Sequence, residues 1–162
     1  MIILTSFGYA EEAADIIAKY PEVSFYSNSF NFHADNVTSY FSRMYQARYL
    51  AGIVAGMQTK TNKIGYVAAM PTSEVNRGIS AFTLGVRQVN PDAVVTVAWS
   101  NSWDNETEER KQTDNLINNT GVDVITYHQN QTYVAEEAER YGIFSIGYHQ
   151  GLENCSEKYL TA

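Results

Sequence analysis

At 162 residues the chain has the length of one ordinary domain, and 44% hydrophobic against 18% charged residues is the make-up of a folded, soluble protein. A net charge of −7 argues against a nucleic-acid surface, which needs clustered Lys and Arg; pairs such as Lys60 with Lys63 read as solvated loop charges. Cys155 is the single cysteine, so an intrachain disulfide is excluded, and a catalytic role for it is set aside.

In chain order, Ile2-Ile3-Leu4 reads as a strand with neither a signal peptide nor any other start signal before it. A helix follows, with Ala13, Ala14, Ile16, Ile17 and Tyr20 on its apolar side. Glu11, Glu12 and Asp15 lie early in it, where the helix dipole favours negative charge, and Pro21 ends it. Val23 to Tyr26 is a second strand. The spacing of Tyr40, Phe41, Met44, Tyr45, Arg48 and Tyr49 predicts a long helix over Asn36 to Thr59. Its later half is small-faced through Ala51, Gly52, Ala55 and Gly56, which suits close packing against a neighbour. Arg43, Arg48 and Gln58 weigh against a membrane span.

Beyond Lys63 strand and helix alternate. Strands are read at Ile64 to Val67, Val94 to Trp99, Val122 to Thr126 and Ile143 to Ile146. The helices between them are Val75 to Val89, Glu106 to Asn119 (closed by Gly121) and Tyr133 to Tyr141. Mostly apolar strands alternating with helices predict an α/β fold, with parallel sheets covered by helices on both faces. A boundary is expected near Thr59 to Asn62, giving a unit of residues 1–62 and a unit of residues 63–162. The first holds two predicted strands and two helices, little apolar area for an independent core, and this reads as an incomplete lobe.

Ligands of open parallel sheets sit beyond the carboxyl ends of the strands. Those ends deliver Phe7 and Tyr9, then Asn28, then Ser100-Asn101-Ser102-Trp103, then Tyr127-His128-Gln129-Asn130, and finally Tyr148-His149-Gln150. Aromatic rings joined to neutral hydrogen-bonding groups suit a flat, polar, uncharged ligand such as a nucleobase. At any single position the same residues serve equally well as ordinary strand and loop ends; recurrence favours the ligand reading for the set. No Lys or Arg is read at these ends, so a phosphorylated ligand is disfavoured.

Enzyme signatures are missing. Gly147-Tyr148-His149-Gln150-Gly151 lacks the third glycine of a dinucleotide fingerprint, and neither a phosphate loop nor a nucleophile elbow occurs. His128 and His149 end consecutive strands, but no Cys, Asp or Glu accompanies them at ligand spacing. They are read as neutral hydrogen-bonding imidazoles, with no metal or other cofactor expected. His33 is assigned to an exposed loop. Sequons at Asn36, Asn105, Asn118, Asn130 and Asn154 are read as Asn-rich turns.

Leu4 to Tyr9, Ala34 to Val37, Tyr49 to Gly56, Thr59 to Val67, Glu74 to Gly78, Ala81 to Gly85, Val89 to Asp92 and Asp123 to Thr126 follow one another in a familiar order. In these segments the chain resembles the basic membrane protein family, the purine and nucleoside receptors of bacterial ABC importers. The resemblance runs over almost the whole chain. It implies the type I periplasmic binding fold, two α/β lobes closing on a ligand, with residues 1–62 as the later part of the first lobe. Residues 63–162 are then most of the second lobe, lacking its final segments. It also implies a protein outside the cytoplasm, an ABC permease as partner, and a lipoprotein anchor upstream in a longer parent.

On the same likeness Trp103 stands where nucleoside-binding relatives stack a ring on the base. Tyr148-His149 replaces the ribose-contacting Asp, which points toward a free base. The candidate ligand-binding residues are therefore Phe7, Tyr9, Asn28, Trp103, Tyr127, His128, Tyr148 and His149. The function expected is binding of a purine base or nucleoside for import, without catalysis. The alternatives are a ligand-sensing regulatory module of the same fold and, less favoured, a nucleoside- or sugar-processing enzyme. The incomplete first lobe, with its unpaired sheet edge, is expected to make the chain self-associate through its first sixty residues.

Overall fold

The computed structural model describes residues 1–149, 151 and 156–162; Gln150, the sequon at Asn154 and Cys155 lie outside the described residues. The chain divides into two compact units, Met1–Arg43 and Met44–Ala162. Both are built on parallel sheets, with helices after β1 in the first unit and between most strands of the second, an α/β fold as predicted.

In the first unit β1 (Ile2–Leu4), β2 (Phe25–Ser27) and β3 (Val37–Ser39) form a sheet in that order, with Ile2 opposite Phe25 and Phe25 opposite Val37. The expected first helix is two short ones, α1 (Tyr9–Glu12) and α2 (Ala14–Lys19), parted at Ala13. Ala10, Ile17 and Phe25 form the buried core, while Ile16 and Tyr20 of the predicted apolar side are exposed.

Strand β3 was read from sequence as the start of a long helix, and two causes turn it. The Asn36 side-chain amide reaches the carbonyls of Ile17, Tyr20 and Val23, tying this point to the end of α2. Val37 and Thr38 are β-branched, and their segment finds a ladder beside β2. The first unit therefore holds three strands. β1 and β3 each have one edge unpaired among the described residues, and Ile2 and Ile3 on β1 are exposed. Such an edge is a template for another chain. Light scattering at micromolar concentration is expected to show a dimer or larger species. A stable monomer there contradicts self-association.

The second unit opens with α3 (Met44–Gln58), the remaining part of the predicted helix. After it come β4 (Lys63–Ala68), α4 (Ser73–Val89), β5 (Val94–Trp99), α5 (Glu106–Asn115), β6 (Val124–His128), α6 (Tyr133–Arg140), β7 (Phe144–Ile146) and β8 (Tyr159–Thr161). A π-helical turn, Leu116–Thr120, extends α5 to Gly121, whose φ of 72° is the left-handed cap that glycine adopts without strain. The five strands run parallel in the order β5-β4-β6-β7-β8, and β8 was not foreseen.

Alternation along the central strands divides the core. Ile64, Tyr66, Ala68 and Val124 face Ala51 and Ala55 of α3 and Val75, Phe82 and Val86 of α4. Val67, Ile125 and Tyr127 face Leu116, Val134 and Ala138 on the other side. Helix α3 thus shares a core with β4, which is why the division falls at Arg43 and not at the expected position after Asn62. The Asp123 carboxylate closes the α3–β4 turn, accepting from Thr59 Oγ1 at 2.6 Å and from the backbone N–H groups of Lys60 and Thr61 at 2.6 and 3.0 Å. Burial works against its charge, but these hydrogen bonds win and hold its pKa below the ordinary value. No described helix is long and apolar enough to cross a membrane.

Candidate ligand-binding site

The carboxyl ends of β5, β6 and β7 bring four rings into succession. Trp103, in the loop after β5, meets His128 edge-on at 5.9 Å between ring centroids. His128, the last residue of β6, lies 4.1 Å from Tyr148, which stacks at 3.9 Å on His149 beyond β7. His149 holds this position with φ at 54°, a left-handed conformation uncommon for a residue with a Cβ. Gln129, almost wholly buried, fastens the ends of β5 and β6. Its Oε1 accepts from the His128 backbone N–H at 2.9 Å, and its Nε2 donates to Ser100 Oγ at 3.1 Å. The Asn130 N–H donates to the Trp103 carbonyl at 2.9 Å, so the two loops are held together.

Of the predicted site residues, Trp103, His128, Tyr148 and His149 are therefore brought together. Tyr127 is not among them. One residue before His128 on β6, it points to the opposite face and is buried with Val67, Ile125 and Val134. Phe7, Tyr9 and Asn28 stand at the carboxyl ends of β1 and β2 in the first unit. Phe7 and Tyr9 are exposed, and Asn28 is tied through its amide to the Thr5 carbonyl at 3.3 Å.

One residue escaped the reading of strand ends because it comes from a helix. Arg48 of α3 is 4% exposed, and its guanidinium enters beneath the rings. It donates to Tyr66 Oη at 2.6 Å, to the Tyr127 carbonyl at 3.0 Å and to the Gly147 carbonyl at 3.3 Å. Its Cζ lies 5.0 Å from the Tyr66 ring centroid, 5.7 Å from Phe82 and 5.5 Å from Tyr148. The expectation of no cation at the strand ends is thus corrected. Every oxygen that Arg48 meets among the described residues is neutral, so cation–π contact and carbonyls carry a charge that carboxylates normally would. The signal in the sequence was an arginine inside an apolar helical stripe.

Burial, with the Arg48 charge second to it at the two histidines, sets the protonation of the site. Burial, the Arg48 charge and His149 together hold the His128 imidazole down at about 3, so it is neutral throughout the physiological range. Burial and then Arg48 also lower His149. Burial, aided by Glu74, raises the Tyr148 hydroxyl, and burial raises Glu74 against the pull of Arg77. The rings therefore present a neutral, aromatic, hydrogen-bonding surface. Among the described residues no group of three or more His, Cys, Asp or Glu is placed to hold a metal ion.

The family model described as "ABC transporter substrate-binding protein PnrA-like" (Bmp) matches residues 1–161. A purine-binding protein of Brucella abortus is 37% identical over 147 residues, covering 91% of this chain and 42% of the relative. A putative ABC transporter glucose-binding protein of Haloferax volcanii is 38% identical over 163 residues, covering 100% of this chain and 41% of the relative.

Among solved structures, a transcriptional activator of the comK gene from Bacillus halodurans superposes with a TM-score of 0.74 at 25% identity, covering 93% of this chain and 53% of that one. The chain spans about two-fifths of the length of the curated relatives and about half of the solved one. The α/β fold is that of the type I periplasmic binding proteins, which solute-binding proteins among the solved structures share.

Proposed function

We propose, because the chain belongs to the PnrA-like family of ABC transporter substrate-binding proteins, that it binds a purine base or nucleoside outside the cytoplasm for delivery to an ABC permease. The observation that carries the reading is the run of rings from Trp103 through His128 and Tyr148 to His149. A flat heterocycle gains roughly 1–3 kcal/mol from each good stack on such a ring. The imidazoles add polar contacts without charge. Arg48 does not offer itself to a phosphate, because the fold buries it and its two terminal nitrogens already donate to carbonyls and the Tyr66 hydroxyl.

In this reading Phe7, Tyr9 and Asn28, at the carboxyl ends of β1 and β2, are also ligand contacts. The name of the Brucella abortus relative agrees with the ligand class; that of the Haloferax volcanii relative names a sugar instead. Equilibrium dialysis decides between them. Adenine, hypoxanthine or adenosine is expected to bind at least about tenfold more tightly than glucose or AMP, a difference of about 1.4 kcal/mol. Tighter binding of glucose or AMP contradicts the purine reading.

The likeness to the Bacillus halodurans activator favours a second use of the same ligand chemistry, control of transcription. Deleting the gene separates the two. Loss of purine uptake supports import, whereas intact uptake with altered transcript levels supports regulation.

A further inference from the structure

We propose that Arg48, Tyr66 and His128 form a buried relay that fixes the tautomer of His128, so that the site offers its ligand one ring N–H donor, at Nε2. A guanidinium only donates, so the 2.6 Å contact from Arg48 makes Tyr66 Oη the acceptor there. The phenol proton then needs an acceptor of its own. Besides Arg48, the polar group given near Tyr66 Oη among the described residues is on His128. The ring nitrogen that faces Tyr66 Oη is His128 Nδ1, 3.5 Å away.

With Nδ1 accepting and the imidazole neutral beside a buried cation, the ring proton is on Nε2. His128 is 3% exposed, and its Nε2 has no hydrogen-bond partner among the described residues. A buried donor left unmatched is costly, and the groups around this ring are themselves rings, Trp103 at its edge and Tyr148 against its face. An acceptor carried in the plane of a stacked ligand satisfies it.

The inference deepens the purine reading and rests on it for the ligand's identity. The chemistry it selects is a flat heterocycle presenting a lone pair, a ring nitrogen or an exocyclic carbonyl, toward β6. Arg48 and Tyr66 are positioning residues in this scheme, acting through His128.

The test begins without ligand. The chain has three histidines, so long-range 15N–1H spectra of the imidazole-labelled protein resolve each ring. At pH 7 His128 is expected as the pure Nε2–H tautomer. Tyr66→Phe, with its backbone spectrum preserved, is expected to release the ring to a mixture. An Nδ1–H tautomer or an imidazolium in the native protein overturns the relay, whatever the ligand, and so does an unchanged tautomer in the folded variant. The native spectrum decides the matter even where Tyr66→Phe fails to fold.

The ligand arm then compares adenine with its 1-, 3- and 7-deaza analogues. One of them is expected to bind about tenfold more weakly than adenine, and the gap is expected to narrow in Tyr66→Phe. Equal affinity for all overturns the donor role of His128. The expected tautomer with no purine bound leaves the relay standing and overturns the purine reading.

Discussion

Replacing Gly52 or Gly85 with alanine is expected to destabilise the second unit by about 3 kcal/mol, among the larger single-residue effects available to this chain. The cause is a reciprocal contact between α3 and α4. A Cβ on Gly52 lands 2.0 Å from the Phe82 carbonyl oxygen, and a Cβ on Gly85 lands 2.0 Å from the Tyr49 carbonyl oxygen. Both obstacles are backbone, so no rotamer change relieves them and the helices must part. Parting them opens the core in which Ala51 and Ala55 meet Ile64, Tyr66, Phe82 and Val86. It also withdraws Arg48 from the strand ends that it holds. Urea unfolding followed by circular dichroism is the measurement. Leu50→Ala, on the exposed side of α3, is the control and is expected to shift stability by less than about 0.5 kcal/mol. Unaltered midpoints for both glycine variants contradict the close approach.

The second large effect concerns binding. Trp103→Ala is expected to raise the dissociation constant for adenine about 5- to 150-fold, corresponding to roughly 1–3 kcal/mol for a lost stack. Trp103 is half-buried and packs partly against the core of Tyr66, Phe82 and Val75, so some stability goes with it. The binding loss is expected to dominate, because the tryptophan's loop is held independently by Ser100, Gln129 and Asn130. Calorimetry and thermal melting on the same two proteins separate the effects. A large fall in melting temperature with unchanged affinity contradicts the ligand role and makes Trp103 a packing residue.

The architecture was legible in the sequence because its signals are periodic. Apolar runs marked β4, β5, β6 and β7, and a small-residue face marked α3 for close packing against a neighbour, which is α4. The misreadings came where long-range contacts outweigh local pattern. Val37 to Ser39 continues a helical spacing of apolar residues, but a ladder with β2 and the anchoring of Asn36 make it strand. β8 escaped notice because Tyr159-Leu160-Thr161 holds a single aliphatic residue and so carries no apolar run.

Of the residues named by the strand-end rule, Trp103, His128, Tyr148 and His149 come together, because the topology sets their strand ends side by side. Tyr127 stands apart from that group because adjacent residues of a strand face opposite sides, which the rule does not distinguish. Arg48 was invisible to that rule: it reaches the strand ends through the third dimension, from a helix earlier in the chain.

The most direct test of the central claim watches the rings themselves while a purine is added. The chain has two tryptophans, Trp99 within β5 and Trp103 beyond it, so their indole N–H signals report separately in a labelled sample. Titration with adenine or hypoxanthine is expected to shift the Trp103 indole and the His128 and His149 imidazoles together, with one common affinity. The Trp99 signal and the imidazole of His33 are expected to stay in place. Saturable binding that leaves Trp103 and His128 unmoved, or no binding of any purine while glucose shifts these same signals, contradicts the assignment of this site to a purine.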